Sequence, residues 1–409
     1  MRSLTITSPG RELHGYVSLP LSKSISNRSL IISWLSGGKV TTGDLSAAED
    51  TILLQHLIRQ IDEAEDNMIY SCNAGTVYRF LAAILAITPG DWLLDGDERM
   101  CQRPVAPLVD ALRVLGAQIE YTNKEGFPPL SIKGKTLEGG MVRIRADVSS
   151  QFISALLMIG PLMNKGIEIL LEGEIVSEPY LRLTTNMMRI AGIKLQMLKS
   201  LIMVRPGSYR PCTFQSEADW SAAASWYSVM ALAENGSLML KGLKQNSLQG
   251  DQMLASYFKM LGVITEYQED GVHISKQKAI SREVHFDLGS TPDLAPSIIV
   301  TAAALGYKGY FTGLKTLHIK ESDRIVAIAD ELGRNGFKCS ITPDTLTFSA
   351  QELLMKYPVE TYDDHRIAMA FAPLAIMGHP VIILNPGVVM KSYPGFWDEM
   401  EKFFSVKEA

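Results

Sequence analysis

The chain is short of cysteine. Cys72, Cys101, Cys212 and Cys339 lie far apart with no C-x-x-C pair, so neither a disulfide framework nor a thiolate metal site is expected, and small hydrophobes in a reducing compartment fit them better. Histidine is scarce too. There are seven, without H-E-x-x-H or comparable spacing, so the expectation is no metal. Positive charge is not in excess, since Lys and Arg total 39 against 44 Asp and Glu, a formal net charge of -5. That excludes the broad basic field of a nucleic-acid binder and leaves anion recognition to local placement of cations. Long apolar runs are absent, and the longest, such as 152–163, is too short to span a bilayer. The opening MRSLTITSPG has no apolar core of a signal peptide, so a cytoplasmic protein with no membrane partner is expected.

What is present is length and repetition. At 409 residues and 46% hydrophobic, two domains are expected. Six segments are apolar almost all round: SLIISWL, TVYRFLAAILAI, FISALLMIGPLM, SAAASWYSVMALA, SIIVTAAALG and IAMAFAPLAIMG. Helices of that kind belong in a core. Each is followed by a β-rich run that ends at a glycine corner, at Gly43, Gly96, Gly173, Gly242, Gly313 and Gly387, and after the first two these recur about every 70 to 77 residues. Beyond each corner comes an amphipathic segment such as VAPLVDALRVLG, whose Val105, Leu108, Val109, Leu112 and Leu115 share one helical stripe.

Six units of strand, buried helix, strand, amphipathic helix, strand follow from this pattern. With three units to a domain, the apolar helices must be enclosed, and the sheets, which tolerate one wet face, lie outside them. The expected fold is therefore an inside-out α/β arrangement. Helices entered from strands gather their N-termini at one edge, where free N–H groups and the helix dipole favour anions. The polar stretch QSEADW after Cys212 marks the expected boundary.

Chemistry-bearing residues crowd the helix starts. LPLSKSISNRSL sets Lys23, Ser24 and Arg28 at the mouth of the first buried helix, an anion site by composition. In CNAGTVYRFL, Asn73 can cap, Gly75 lets backbone approach a ligand, and Thr76 and Arg79 are expected to point donors outward. Arg103 precedes an amphipathic helix, and Ser149, Ser150 and Gln151 open the third buried one. Paired serines are equally plain N-caps, and Ser177 in VSEPY is equally a turn residue. TPDLAPS places Asp293 at a helix start, and IKESDR packs Lys320, Glu321, Asp323 and Arg324 together, a pattern equally read as capping. Asp364, His365 and Arg366 run directly into the last apolar helix, and Lys391 follows in VVMKSYPGF. His365 is equally a buried structural histidine.

Taken together, LPLSKSISNRSL, NAGTVYRFL, ERMCQRPV, VSSQF, VSEPY, TPDLAPS, IKESDRI and YDDHRIAMAF resemble the 5-enolpyruvylshikimate-3-phosphate synthase family, in the family's order and from end to end of the chain. The resemblance implies a two-domain inside-out α/β barrel, with domains at 22–216 and at 1–21 plus 217–409. It implies transfer of the enolpyruvyl group of phosphoenolpyruvate to the 5-hydroxyl of shikimate 3-phosphate, release of phosphate, no cofactor, a monomer, and glyphosate as an inhibitor at the phosphoenolpyruvate site. Lys23, Ser24, Arg28, Ser149, Ser150, Gln151, Ser177, Asp293 and Lys320 would bind shikimate 3-phosphate. Lys23, Asn73, Gly75, Arg103, Gln151, Arg324, Arg366 and Lys391 would bind phosphoenolpyruvate. Asp293, Glu321 and Lys23 would move protons, with Glu321 raised in pKa if buried; which group moves which proton stays open.

Some positions depart from the family pattern: Leu21, Cys72, Phe80, Glu178 and Thr316 replace residues commoner there, Thr316 an Asn that contacts substrate. The sister family that acts on UDP-N-acetylglucosamine carries a reactive Cys five residues before its Arg-Pro. That place is Glu98 in this chain. A non-catalytic binding protein on the same scaffold is the remaining alternative.

Overall fold

The computed structural model describes residues 2–63, 66–147, 149–279 and 281–408; Val148 of VSSQF lies outside them. The chain forms two compact units. One comprises Lys23–Ser46 and Asp50–Ser216, the other Met1–Ser22, Ala47–Glu49 and Glu217–Ala409. Among the described residues the helices are, in chain order, α1 (Lys23–Leu35), α2 (Glu49–Glu63), α3 (Gly75–Ile87), α4 (Ala106–Val114), α5 (Ser150–Ile159), α6 (Glu178–Ile190), α7 (Trp220–Leu232), α8 (Leu254–Met260), α9 (Ala295–Ala304), α10 (Arg324–Arg334), α11 (His365–Phe371) and α12 (Phe396–Glu401). None is long and apolar enough to cross a membrane.

Side-chain chemistry explains where these helices begin. Asp219 caps α7 by accepting from the N–H groups of Ser221 and Ala222, and Ser149, Asp323 and Asp364 cap α5, α10 and α11 in the same way. Proline stands in the first turn of α4, α6 and α9, where its missing N–H costs nothing. Gly116, Gly192, Gly262 and Gly336, which follow four amphipathic helices, all have positive φ, the left-handed stop that glycine adopts without strain.

Four of the sheets share one strand order. In the first, Met68–Tyr70 and Gly90–Asp95 run parallel and are joined through α3, and Leu130–Gly134, hairpin partner of Gln118–Tyr121, lies antiparallel on Gly90–Asp95. The same order recurs around Ile167–Glu172, Asn235–Lys241 and Lys308–Thr312, each preceded by its buried helix α5, α7 or α9. Val40–Thr42 pairs in parallel with Cys212–Phe214. The N-terminal strand Ser3–Thr7 sits antiparallel between Val381–Leu384 and Ser405–Glu408.

The all-round apolar segments form the core. Every residue of α7, α9 and α11 is buried, as is all of α5 except Gln151. Within one unit α5 packs on α3 and on α1; within the other α7, α9 and α11 pack on one another. Each buried Leu or Ile contributes about 1.5–3 kcal/mol. Charges enter these enclosed helices only near their starts, at Lys23, Arg28, Arg79 and Arg366.

Candidate active site

In the unit built from Lys23–Ser46 and Asp50–Ser216, the first group lies on α1. Lys23 Nζ is 2.8 Å from Asp50 Oδ2, a partner the sequence did not mark. Arg28 is buried rather than solvated: its Nε donates to Thr184 Oγ1 at 2.7 Å, one NH donates to the Ser24 carbonyl at 2.9 Å, and its guanidinium lies 5.5 Å from the Phe80 ring centroid. Burial pushes it down to about 10. Phe80 thus supplies a cation–π face where the family commonly has proline.

The second group surrounds Gly75, where two of the sequence expectations need correction. Asn73 does not cap α3; Ala74 holds the N-cap position, and the Asn73 carboxamide instead accepts from Arg103 NH1 at 3.2 Å. Arg79 does not point outward. It is 2% exposed, donates to Gln151 Oε1 at 2.7 Å, and stacks 5.0 Å from the Phe152 ring. The enclosed Arg79 can be satisfied only from inside, and Gln151, whose amide also donates to Thr76 Oγ1 at 2.9 Å, bridges the two. A Cβ on Gly75 would meet both the Arg103 and Arg79 guanidinium groups closer than 3.0 Å. Burial first and Arg103 second hold Arg79 well below its usual value. Two desolvated guanidiniums converging on one backbone position make a strong anion trap, because an incoming anion offsets both burial and repulsion.

Ser149, Ser150 and Ser177 stand at the starts of α5 and α6. Ser149 accepts the Gln151 N–H at 3.3 Å, while Ser177, at the N-cap position of α6 with φ 57, makes no side-chain cap bond. Ser150 and Ser177 are buried. Glu178 pairs outward with Arg182 at 2.6 Å.

In the other unit, Asp293, Lys320, Glu321, Arg324, Arg366 and Lys391 come together. Asp293 faces three cations, with Arg324 at 3.1 Å, Lys320 at 3.3 Å and Arg366 at 3.5 Å. Arg324 is also gripped by Asp364, Nε to Oδ2 at 2.8 Å and NH2 to Oδ1 at 3.2 Å, and Ser322 Oγ donates to the same carboxylate at 3.0 Å. Burial alone would lower Arg324, but Asp364, Asp293 and Glu321 hold it above its usual value. Glu321 touches His365 Nδ1 at 2.8 Å, Lys391 Nζ at 3.6 Å and Arg324 NH2 at 3.7 Å.

Glu321 therefore behaves opposite to expectation. Burial pushes its carboxyl up, but His365, Lys391 and Arg324 outweigh burial and hold it well below its usual value. Glu321, Asp364 and His365 bring potential metal-ligand atoms within 4.8 Å of one another. Arg324 and Lys391 already occupy these carboxylates, so a second cation would meet repulsion there. Thr316, beside this cluster in sequence, is buried, and its hydroxyl has no hydrogen-bond partner among the described residues.

Sequence reasoning passed over Asp251. It is 3% exposed, accepts from Ser221 Oγ, and is pushed up to about 6 by burial and by Asp293. The Ser221 carbonyl in turn accepts from Arg366 NH1 at 3.2 Å. In sequence Asp251 is one more acid before a helix, with nothing to mark its burial.

A model of EPSP synthase (3-phosphoshikimate 1-carboxyvinyltransferase) matches residues 55–400. The chain belongs to the EPSP synthase family. Among curated relatives, the 3-phosphoshikimate 1-carboxyvinyltransferase of Bacteroides fragilis is 43% identical over 401 residues, 97% of each chain. That of Vibrio vulnificus is 33% identical over 425 residues, 98% of each. An EPSP synthase structure from Acinetobacter baumannii superposes over the full length of both chains with a TM-score of 0.77 at 22% identity, which supports a mixed α/β fold of the EPSP synthase kind. The residues singled out by sequence fall in both compact units: Arg79 and Arg103 converge on Gly75 in one, and Lys320, Arg324 and Arg366 surround Asp293 in the other.

Proposed function

We propose that this protein is a 3-phosphoshikimate 1-carboxyvinyltransferase, moving the enolpyruvyl group of phosphoenolpyruvate to the 5-hydroxyl of shikimate 3-phosphate and releasing phosphate, without a cofactor, as a cytoplasmic monomer on the way to chorismate and the aromatic amino acids. The observation that carries this reading is 43% identity over 97% of the chain to a relative of that name. The finer architecture belongs to the same proposal: six units in an inside-out α/β barrel, three in 22–216 and three in 1–21 with 217–409.

Lys23, Ser24, Arg28, Ser149, Ser150 and Ser177 hold the shikimate-side anion, with Asp293 and Lys320 on the ring hydroxyls. Arg103, Gly75, Asn73, Gln151, Arg324, Arg366 and Lys391 hold phosphoenolpyruvate. Both substrates are polyanions, so several fixed cations offset their repulsion, and guanidinium forks fit carboxylate and phosphate. In the addition step the 5-hydroxyl oxygen bonds to C2 of phosphoenolpyruvate, its proton passes to Asp293, and C3 gains a proton to become a methyl group. In the elimination step the methyl loses a proton and the C2–O bond to phosphate breaks with the electron pair leaving on phosphate.

Glu321 is the group set to serve C3. Because its neighbours keep it ionised, it takes up the methyl proton directly, and before donating in the addition step it must first be protonated, with His365 Nδ1 at 2.8 Å the nearest source. Lys23, paired with Asp50, is the remaining candidate for proton transfer. Phosphate release from phosphoenolpyruvate, measured with shikimate 3-phosphate, with UDP-N-acetylglucosamine and with neither, tests the reading. Turnover with the first alone is expected; turnover with the second, or none at all, overturns it.

A further inference from the structure

Two consecutive residues ahead of the cationic cluster, Tyr362 and Asp363, both have φ of 53. Asp tolerates that left-handed region; a tyrosine there is an outlier. Such backbone persists only where the surroundings over-determine it. Here they do so from both sides. Tyr362 Oη donates to Glu331 Oε1 at 3.0 Å, and Asn385 Nδ2 donates to Asp363 Oδ1 at 2.7 Å.

Glu331 is itself fully buried, fixed by Arg334 at 2.7 Å and by a hydrogen bond from the backbone of Glu360. It lies on α10, seven residues after Arg324 and so about two turns along the same face. One helix therefore reaches the 361–366 segment twice, through Arg324 on Asp364 and through Glu331 on Tyr362. Between these two points the chain reverses, Asp364 N–H donates to the Thr361 carbonyl at 2.9 Å, and Asp364 caps α11, which presents His365 and Arg366.

We propose that Glu331 and Tyr362 are positioning residues: through the tyrosine hydroxyl, the buried carboxylate holds the left-handed turn closed and so sets where Asp364, His365 and Arg366 stand against Arg324. A buried acid is a costly way to gain stability alone, since an apolar pair of similar volume serves as well or better. Its directed bond to a strained residue is what an apolar pair cannot supply.

The kinetic test rests on the function proposed above, so wild-type turnover is established first. In Tyr362→Phe, which removes only the hydroxyl, KM for phosphoenolpyruvate is expected to rise about tenfold and kcat to fall several-fold, with KM for shikimate 3-phosphate changed less than twofold. Glu331→Gln, which keeps an acceptor, should retain most activity. Glu331→Ala should match Tyr362→Phe, and the double variant should be no worse than either single one. Values for Tyr362→Phe within twofold of wild type, equal losses for both substrates, or additive losses in the double variant would overturn the proposal.

If Glu331→Ala does not fold, Tyr362→Phe alone decides. A readout independent of turnover is amide exchange: protection at 361–367 is expected to drop at least tenfold in Tyr362→Phe while α9 is unchanged. Unchanged protection at 361–367 sinks the brace even if the enzyme proves inactive for other reasons.

Discussion

His365 Nδ1 lies 2.8 Å from Glu321 Oε2 with both side chains almost wholly buried, and this contact, with Lys391 and Arg324, sets the charge of the carboxylate. Removing the imidazole leaves Glu321 with two cations, so its ionised form is less favoured. In His365→Asn the acidic limb of the kcat/KM profile is expected to move to higher pH, and kcat to fall by about 10²-fold or more, as losses of positioned acid–base groups do. A pH–rate profile superimposable on that of wild type would show that His365 only fills space.

Depressed and raised carboxyls leave opposite marks on stability. Glu321, held below its ordinary 4.5, contributes stability that is present above that value and is lost as pH falls through its folded one. Denaturant unfolding should therefore show the advantage of wild type over Glu321→Gln shrinking as pH drops below 4.5.

Asp251 has the reverse sign. Its carboxyl is raised from 3.8 to about 6, so folding favours the protonated form, and the contribution present below 3.8 is lost as pH rises through about 6. Asp251→Asn, which cannot ionise, should gain on wild type across this window by up to about 3 kcal/mol. A difference between the two proteins that stays flat from pH 4 to 7 would place Asp251 elsewhere than in the contacts described.

Much of this architecture is legible in the chain. SAAASWYSVMALA and SIIVTAAALG have no polar face, and α7 and α9 are buried at every residue; the stripe in VAPLVDALRVLG emerges as α4 with Leu108, Val109 and Leu112 inside. Periodicity and capping are local, so sequence carries them. Pairings between distant residues are not. Nothing near Lys23 announces Asp50, and nothing near Glu321 announces that His365, 44 positions on, and Lys391, 70 on, would reverse the shift that burial alone imposes. Arg79 reads as an exposed helix cation until Phe152 and Gln151, brought over by α5, enclose it.

The Asp293 carboxylate balances Lys320, Arg324 and Arg366, so Asp293→Asn removes a base and leaves the three cations less neutralised. Turnover is expected to fall by about 10²- to 10⁴-fold, while KM for the anionic substrates stays level or drops. Turnover within a few-fold of wild type means that another group takes the hydroxyl proton. A large rise in either KM would instead make Asp293 chiefly a binding residue.

Gly75 tests the other cluster. Its Cβ would press on the tips of Arg103 and Arg79 rather than on backbone, and its φ is not in the left-handed region, so Gly75→Ala should still fold, with a lowered Tm. The guanidiniums, however, are not free to yield: Arg79 is held by Gln151 and stacked on Phe152, and Arg103 is bound to Asn73. The methyl group must therefore displace cations or occupy part of the volume an anion would fill. Glyphosate, longer than phosphoenolpyruvate, loses more from the same intrusion. Its inhibition constant is expected to rise by about 10- to 200-fold, the span that one methyl group commands in a tight site, with a smaller rise in KM for phosphoenolpyruvate. The check is a pair of glyphosate titrations at fixed phosphoenolpyruvate. Equal inhibition constants in the two proteins would mean that the Arg79 and Arg103 pair does not line the phosphoenolpyruvate site, and Arg103 would lose its proposed role.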